Sequence, residues 1–508
     1  MSFLNRKSSL GGDIVKLSFS KVGISVIALV TGMLLSRFRT LEEYGTYSQM
    51  TLVINLLSTV IMLGLPNSLN YFLAKADNNK ERQEFLSVYY SLSTLLSIIV
   101  GAILVAATPL LVLYFNNPLI ESFWYYLALY PWTRVICSGI GNILIVYKRS
   151  NGVVTFRIAN SIAILGTILF VQLMNWGFTA YMILYICVEI IFTIIDYVIA
   201  YRLANGIKFS LKWSLIKKIL IFSIPMGLAS MIGTLNIEID KLMIGNLMST
   251  EQLAIYTNAS REMPITMVST SITAVLTPQM VRFLKHDKNE EAVALWGESI
   301  KLSFLFIGFA VAVLMFFAPE VITVLYSEKY LPGVSVFRVY SLALLFRFTY
   351  WGMISNAKGK SKFILYSSIA ALVLNAALNY LFFSFWGIVG PAIATLTSHF
   401  ASSAALLVFS SKLLNVKIRN IFPWRFIART CAVQGALGAV MYALKEIIPA
   451  DKLFANSFNL DVYNAKAFEA IIFGVLWTAI FFIVERKNIK KHWNALNKKG
   501  EKADVMDS

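Results

Sequence analysis

The chain has 508 residues, 57% of them hydrophobic and 14% charged, with a mean hydropathy of +0.68. That balance excludes a water-soluble globular chain and predicts an all-α polytopic membrane protein. Lys and Arg number 45 against 27 Asp and Glu, a formal charge of +18, which suits an anionic membrane face, an anionic substrate or nucleic acid until the positions of the charges decide.

A spanning helix needs roughly 20 apolar residues, and lipid tolerates no exposed irregular backbone. Counted this way the sequence predicts about fourteen transmembrane helices. They fall at 15–36, 45–72, 85–113, 122–147, 153–174, 179–203, 214–237, 253–283, 292–318, 332–357, 362–385, 388–411, 425–447 and 465–484. The first follows a basic start, Arg6 and Lys7, with no small-residue cleavage site, and is read as a retained span. The eighth is interrupted by Arg261, Glu262 and Pro264, and the thirteenth carries Arg429 and Lys445.

Lys and Arg in short loops collect on the cytoplasmic side. With the N-terminus inside, the inner set holds Arg6 and Lys7; Lys75, Lys80 and Arg82; Lys148, Arg149 and Arg157; and Arg202 through Lys218. It continues with Arg282, Lys285 and Lys288; Lys358, Lys360 and Lys362; Lys412 through Arg429; and a tail from Arg486 to Lys502. The outer set holds only Arg37, Arg39, Lys241, Lys329, Lys445, Lys452 and Lys466. Both termini are therefore expected in the cytoplasm, the basic excess reads as a topology signal, and no nucleic-acid partner is expected. The Lys-rich tail reads as a solvated segment facing lipid headgroups.

An internal repeat sets the architecture. Thr40-Leu-Glu-Glu-Tyr-Gly-Thr-Tyr47 follows the first span, and Ser249-Thr-Glu-Gln-Leu-Ala-Ile-Tyr256 follows the seventh. Residues 66–81 resemble residues 278–291, each a Pro, an apolar-basic run and a mixed-charge loop, at an offset of about 210 residues. Six helices per repeat give two pseudo-symmetric six-helix lobes, at 1–205 and 206–415, in the same orientation. An extra helix pair at 416–485 and a basic tail at 486–508 lie outside the duplication.

No P-loop, GxSxG, HExxH or paired His/Cys motif is present, so neither an enzyme nor a cofactor or metal site is expected. The three cysteines, Cys137, Cys187 and Cys431, stand alone in apolar stretches. What remains is charge inside the membrane, which costs roughly 2.5 to 3.5 kcal/mol per central group and so marks a pair or a wet cavity. Lys21, Arg134, Arg261, Lys301, Arg338 and Arg347 are the candidate cavity cations. Glu189, Asp196, Glu262 and Glu298 are the candidate coupling or pairing carboxylates. Arg134, Arg347 and Glu189 fall near mid-span, out of snorkelling reach, whereas Lys21, Lys301 and Arg338 lie nearer helix ends. Glu298 and Lys301 have the spacing to pair on one helix face. An excess of guanidinium groups suits phosphate oxygens.

The combination of Leu35-Ser-Arg-Phe-Arg-Thr-Leu-Glu-Glu-Tyr-Gly-Thr-Tyr47 with Leu63-Gly-Leu65, Asp240-Lys-Leu-Met-Ile-Gly245 through Asn258-Ala259, and Ala357-Lys-Gly-Lys-Ser361 with Asn375, Asn379 and Gly387-Ile-Val-Gly390 carries a family likeness. It resembles the polysaccharide-biosynthesis branch of the multidrug/oligosaccharidyl-lipid/polysaccharide exporter superfamily, the lipid-linked oligosaccharide flippases. The likeness covers roughly residues 10 to 410. It implies a two-lobed bundle with a cavity opening alternately to each face of a bacterial cytoplasmic membrane. The implied substrate is an undecaprenyl-diphosphate-linked glycan, and the implied partners are membrane lipids with polysaccharide polymerase and glycosyltransferases. By the same resemblance Lys21 and Arg261 occupy places where similar flippases keep cavity cations. The first span has no Asp or Glu after Asp13, unlike the usual drug-exporting branch. A cation-coupled drug or metabolite antiporter using Glu189 and Asp196 is the second expectation. A membrane glycosyltransferase or polymerase is the third, and the longest outer loop, about 445–464, shows no catalytic acidic motif for it.

Overall fold

A computed structural model describes residues 10–62, 64–448 and 462–504, and every regular element among them is helical. In chain order these are α1 (Leu10–Phe38), α2 (Leu41–Met62), α3 (Leu65–Lys75), α4 (Asn79–Ala106), α5 (Thr108–Phe115), α6 (Trp124–Val146), α7 (Ser150–Leu173), α8 (Phe178–Leu203), α9 (Trp213–Leu247) and α10 (Thr250–Ala259). Then come α11 (Met267–Lys285), α12 (Asn289–Phe316), α13 (Ala318–Leu325), α14 (Val334–Ala343), α15 (Met353–Ala357), α16 (Ser361–Trp386), α17 (Gly390–Leu414), α18 (Ile418–Ile421), α19 (Trp424–Ile447) and α20 (Val462–Asp504). Each expected apolar run carries helix. Among the described residues nine helical stretches are long and apolar enough to cross a membrane, ten if the bent pair α2 and α3 is one span. One of the nine, Ser361–Leu414, comprises both α16 and α17. The chain is a multi-pass membrane protein, and α7 and α8 turn Ile162, Leu169, Leu173, Ile183, Ile191 and Ile194 outwards, as lipid-facing helices do. The outer loop through Lys452 and Asn456 lies outside the described residues, as does the Lys21 side chain on α1.

The repeated blocks start helices in the same way. Thr40 and Glu43 exchange hydrogen bonds at the start of α2, the Glu43 amide donating to Thr40 Oγ1 at 3.1 Å and the Thr40 amide to Glu43 Oε2 at 3.0 Å. Ser249 and Gln252 do the same at α10, at 3.3 and 3.2 Å. These are capping boxes, each satisfying two backbone donors that a helix start otherwise leaves bare.

Packing divides the chain into two compact units between Ala254 and Ile255. The core of the first joins α3, α4, α6, α8 and α9 through Leu65, Leu69, Tyr89, Ile136 and Ile219, all fully buried. Gly64, at φ 73°, opens α3 against the backbone of α9, and a side chain there would meet the Ser223 carbonyl at 2.7 Å. Only glycine combines that conformation with that approach. In the second unit α19 and α20 close over α12 and α13 around fully buried Trp477, which meets Phe309 edge-on at 5.8 Å. Lys445 of α19 forms an ion pair with Glu320 of α13, both nearly buried, so two charges in apolar surroundings neutralise each other.

Candidate functional site

The candidate charges fall into two clusters, one in each unit, and several paired sites elsewhere. In the first unit Arg134 sits at mid-helix on α6, three residues after Pro131, whose ring removes one backbone donor from the helix. The guanidinium hydrogen-bonds the Tyr130 hydroxyl one turn earlier. Tyr130 Oη also accepts from Tyr185 Oη of α8 at 3.1 Å. Tyr126 stacks on Tyr130 with ring centres 4.7 Å apart, and Tyr47 of α2 lies 6.2 Å from Tyr126. Glu189, on α8 one turn beyond Tyr185, is buried within the electrostatic reach of Arg134 and accepts from Asn160 Nδ2 of α7 at 3.3 Å. The arrangement is an arginine presented on a wall of phenol rings, with a carboxylate behind it. The sequence reading named Arg134 and Glu189 but missed Tyr130, Tyr185 and Asn160, which contribute polar atoms to an otherwise apolar stretch.

Asp196, seven residues after Glu189 on α8, belongs to a separate nest. Its Oδ1 accepts from Tyr90 Oη of α4 at 2.5 Å, while Oδ2 is buried with no hydrogen-bond partner among the described residues. Tyr197 beside it links Thr94 at 2.5 Å and Trp132 Nε1 at 3.2 Å.

In the second unit two expected spans are broken. The eighth stops at Ala259, runs through Ser260 to Met263 without helix, and resumes with a short 3-10 turn at Pro264 before α11. The tenth stops at Phe346, after α14 and a 3-10 turn, and resumes only at α15. The breaks meet: Arg347 of one forms an ion pair with Glu262 of the other. Glu262 Oε1 also accepts from Thr266 Oγ1 at 3.0 Å, and Ser269 Oγ donates to the Arg347 carbonyl at 2.8 Å. Trp296 Nε1 of α12 donates to Thr349 Oγ1 at 2.9 Å, and Trp351 Nε1 to the Phe346 carbonyl at 2.7 Å. Side chains thus take up carbonyls that the break frees and that a continuous helix would have paired internally, the usual condition for unwound backbone in a membrane protein. His399 of α17 lies within the electrostatic reach of both Arg347 and Glu262. Arg261 precedes Glu262 in the same break.

The remaining candidates are engaged locally. Lys301 pairs with Glu298 at 2.7 Å, and Glu298 Oε2 lies 2.6 Å from His492 Nδ1 on α20, a link the sequence did not reveal. Arg338 Nε donates to the Met315 carbonyl at 3.3 Å. Among the described residues no group of three or more His, Cys, Asp or Glu side chains is placed to hold a metal ion.

Comparison with known proteins places this architecture. The profile of a polysaccharide biosynthesis protein family matches residues 34–335, more than half of the chain. The chain belongs to that family. Among curated proteins, this polysaccharide biosynthesis protein is 23% identical over 201 residues to the capsular polysaccharide biosynthesis protein CapF of Staphylococcus aureus. The match spans 39% of this chain and half of the length of that relative. Among solved structures, the lipid II flippase MurJ in an inward closed conformation aligns with a TM-score of 0.63 at 13% identity, covering 92% of this chain and 99% of that one. An inward-facing multidrug resistance MATE transporter of the MOP superfamily aligns at 0.64 and 17% identity, covering 77% and 94%. At such identities these likenesses show a shared fold. The chain is thus a member of a polysaccharide biosynthesis protein family with that fold.

Proposed function

We propose that the chain is a flippase that moves a polyprenyl-diphosphate-linked oligosaccharide, a repeat unit of a surface polysaccharide, across a bacterial cytoplasmic membrane. The observation that carries this reading is the presence, in each compact unit, of an arginine held in polar company, Arg134 beside Tyr130 and Arg347 beside Glu262. A diphosphate offers guanidinium groups multidentate, charge-assisted contacts stronger than those of a phenol. For Arg347 the substrate is an exchange partner: the diphosphate replaces the Glu262 carboxylate, and the ion pair reforms on release. The cavity opens alternately to each face, Arg and Lys hold the diphosphate, and the prenyl tail stays in the bilayer. Lys21 and Arg261 extend the cationic path. Two six-helix lobes, 1–205 and 206–415, with both termini cytoplasmic, fit the loop charges. Polymerase and glycosyltransferases of the same pathway are the partners on either side of the step.

The test is a vesicle assay. Labelled polyprenyl-diphosphate oligosaccharide becomes accessible on the far leaflet only with the protein present, and analogues lacking the diphosphate compete poorly. A second reading, a cation-coupled drug or metabolite antiporter, is favoured by buried Asp196, whose Oδ2 has no partner among the described residues, and by the MATE-like fold. Extrusion of cationic dyes against a proton or sodium gradient, with no lipid-linked sugar moved, selects it.

A further inference from the structure

A cavity of about 480 Å³ lies wholly within the first unit, where the starts of α2 and α10 meet the ends of α5 and α9. That volume is within the usual range of small-molecule sites. Its polar wall is formed by Glu42, Asn116, Asn246, Ser249, Glu251 and Gln252, and no cationic side chain lines it. The repeat explains the acids. Glu43 and Gln252 occupy corresponding positions and are used up in the two capping boxes. Glu42 and Glu251, each one residue earlier, are the corresponding side chains that face the cavity. Hydrogen bonds from Ser249 and from its own backbone amide hold the Glu251 carboxyl below the usual carboxylate range, so it is an ionised acceptor at neutral pH.

Behind this wall, buried Asn117 donates from Nδ2 to Gln49 Oε1 at 2.6 Å and to Thr46 Oγ1 at 2.9 Å, and Gln49 Nε2 donates to Thr250 Oγ1 at 3.2 Å. Gly45 lies against the Thr250 carbonyl so closely that any side chain would collide with it. Both helix starts are thereby tied to each other in this state.

The chemistry is the reverse of that at Arg134 and Arg347. Two carboxylates repel a phosphate. They accept from the hydroxyl pairs of a sugar, whose oxygens in turn accept from the Asn116 amide and from the second N–H of Asn246, whose first holds the Tyr114 carbonyl at 2.8 Å. We infer that this cavity is a subsite for the uncharged sugar rings of the carried glycan, distinct from the arginine clusters that take its diphosphate. The inference rests on the proposed function, and on the loop charges that put the α1–α2 and α9–α10 junctions on the outer face, where the glycan is released.

The full chain in lipid nanodiscs is titrated with a free neutral disaccharide carrying N-acetyl groups, using saturation-transfer NMR, and variants are read for both binding and lipid-linked translocation. Glu42→Gln and Asn246→Ala each weaken disaccharide binding about fivefold, the effect of losing one good hydrogen bond. Arg347→Ala leaves that binding unchanged. Asn246 is exposed, so its variant tests the cavity even if Glu42→Gln folds poorly. Unchanged disaccharide binding in both cavity variants overturns the subsite while leaving the flippase reading intact. Binding of calcium alone, with no disaccharide signal, also overturns it, because the carboxylates then serve a cation. Disaccharide binding that depends on Glu42 in a protein that translocates no lipid-linked glycan upholds the subsite and defeats the flippase reading.

Discussion

The two arginine clusters solve one problem by different means. In the first unit α6 and α8 run unbroken past the charge, and Arg134 is held by phenol oxygens supplied by its own helix and its neighbour. In the second, α14 and α10 end within their expected spans, and Arg347 is kept by a carboxylate and by side chains that take up freed backbone groups. The first is a rigid wall with one cation. The second is an assembly of broken segments whose charge pair must part for a ligand to enter. The comparison suggests that the first unit supplies a fixed anchor and the second the part that changes partner.

The largest effects are expected where either arginine is removed. Arg134→Ala and Arg347→Ala should each reduce translocation of lipid-linked glycan to background in vesicles while the protein remains in the membrane. They should differ in a second measurement. Arg347→Ala removes the partner of a half-exposed Glu262, so thermal unfolding in detergent should change little, and adding Glu262→Gln should restore neither stability nor transport. Arg134→Ala leaves buried Glu189 without its nearby cation, so the unfolding temperature should fall, and Glu189→Gln added to it should recover stability but not transport. Equal stability recovery in both units would erase the distinction between anchor and exchanging pair.

A smaller effect is expected from the supporting hydroxyl. Tyr130→Phe removes the acceptor shared by Arg134 and Tyr185, worth about 1 kcal/mol, and should slow translocation roughly fivefold. Ser269→Ala, which removes a donor to the Arg347 carbonyl, should cost a similar amount and act chiefly on stability, since the broken segment loses a tie. The smallest effect belongs to the tail: Lys498→Ala should be silent in transport. Reporter fusions after Lys218 and Lys362 should read cytoplasmic, and an external signal at Lys362 would break the expected helix count.

Much of the fold was legible because the hydrocarbon interior imposes one rule, an apolar run of spanning length, and the runs at 85–113, 179–203 and 292–318 obey it plainly. The break near Arg261 was legible too, since two charges and Pro264 interrupt one run. The break at Arg347 was not: Phe346-Arg-Phe-Thr-Tyr-Trp-Gly352 contains one charge and no proline, and beside the local Trp351 ring it is held by Ser269 and Trp296, distant partners that no local pattern reveals. The same limit hid His492, whose contact with Glu298 joins residues 194 apart in the chain. Charges in apolar runs are visible one by one, but their companions are tyrosines, asparagines and tryptophans that look like ordinary interface or packing residues. Arg134 and Glu189 could be named in the sequence, whereas the phenol wall between them required three helices in place.

The most direct measurement is binding of a short-chain prenyl diphosphate to the purified protein in nanodiscs, set against the matching monophosphate and against Arg134→Ala and Arg347→Ala. The diphosphate should bind at least about tenfold more tightly than the monophosphate, and each substitution should remove that preference. Equal affinity for the two phosphates, unchanged in both variants, would contradict diphosphate recognition by these arginines.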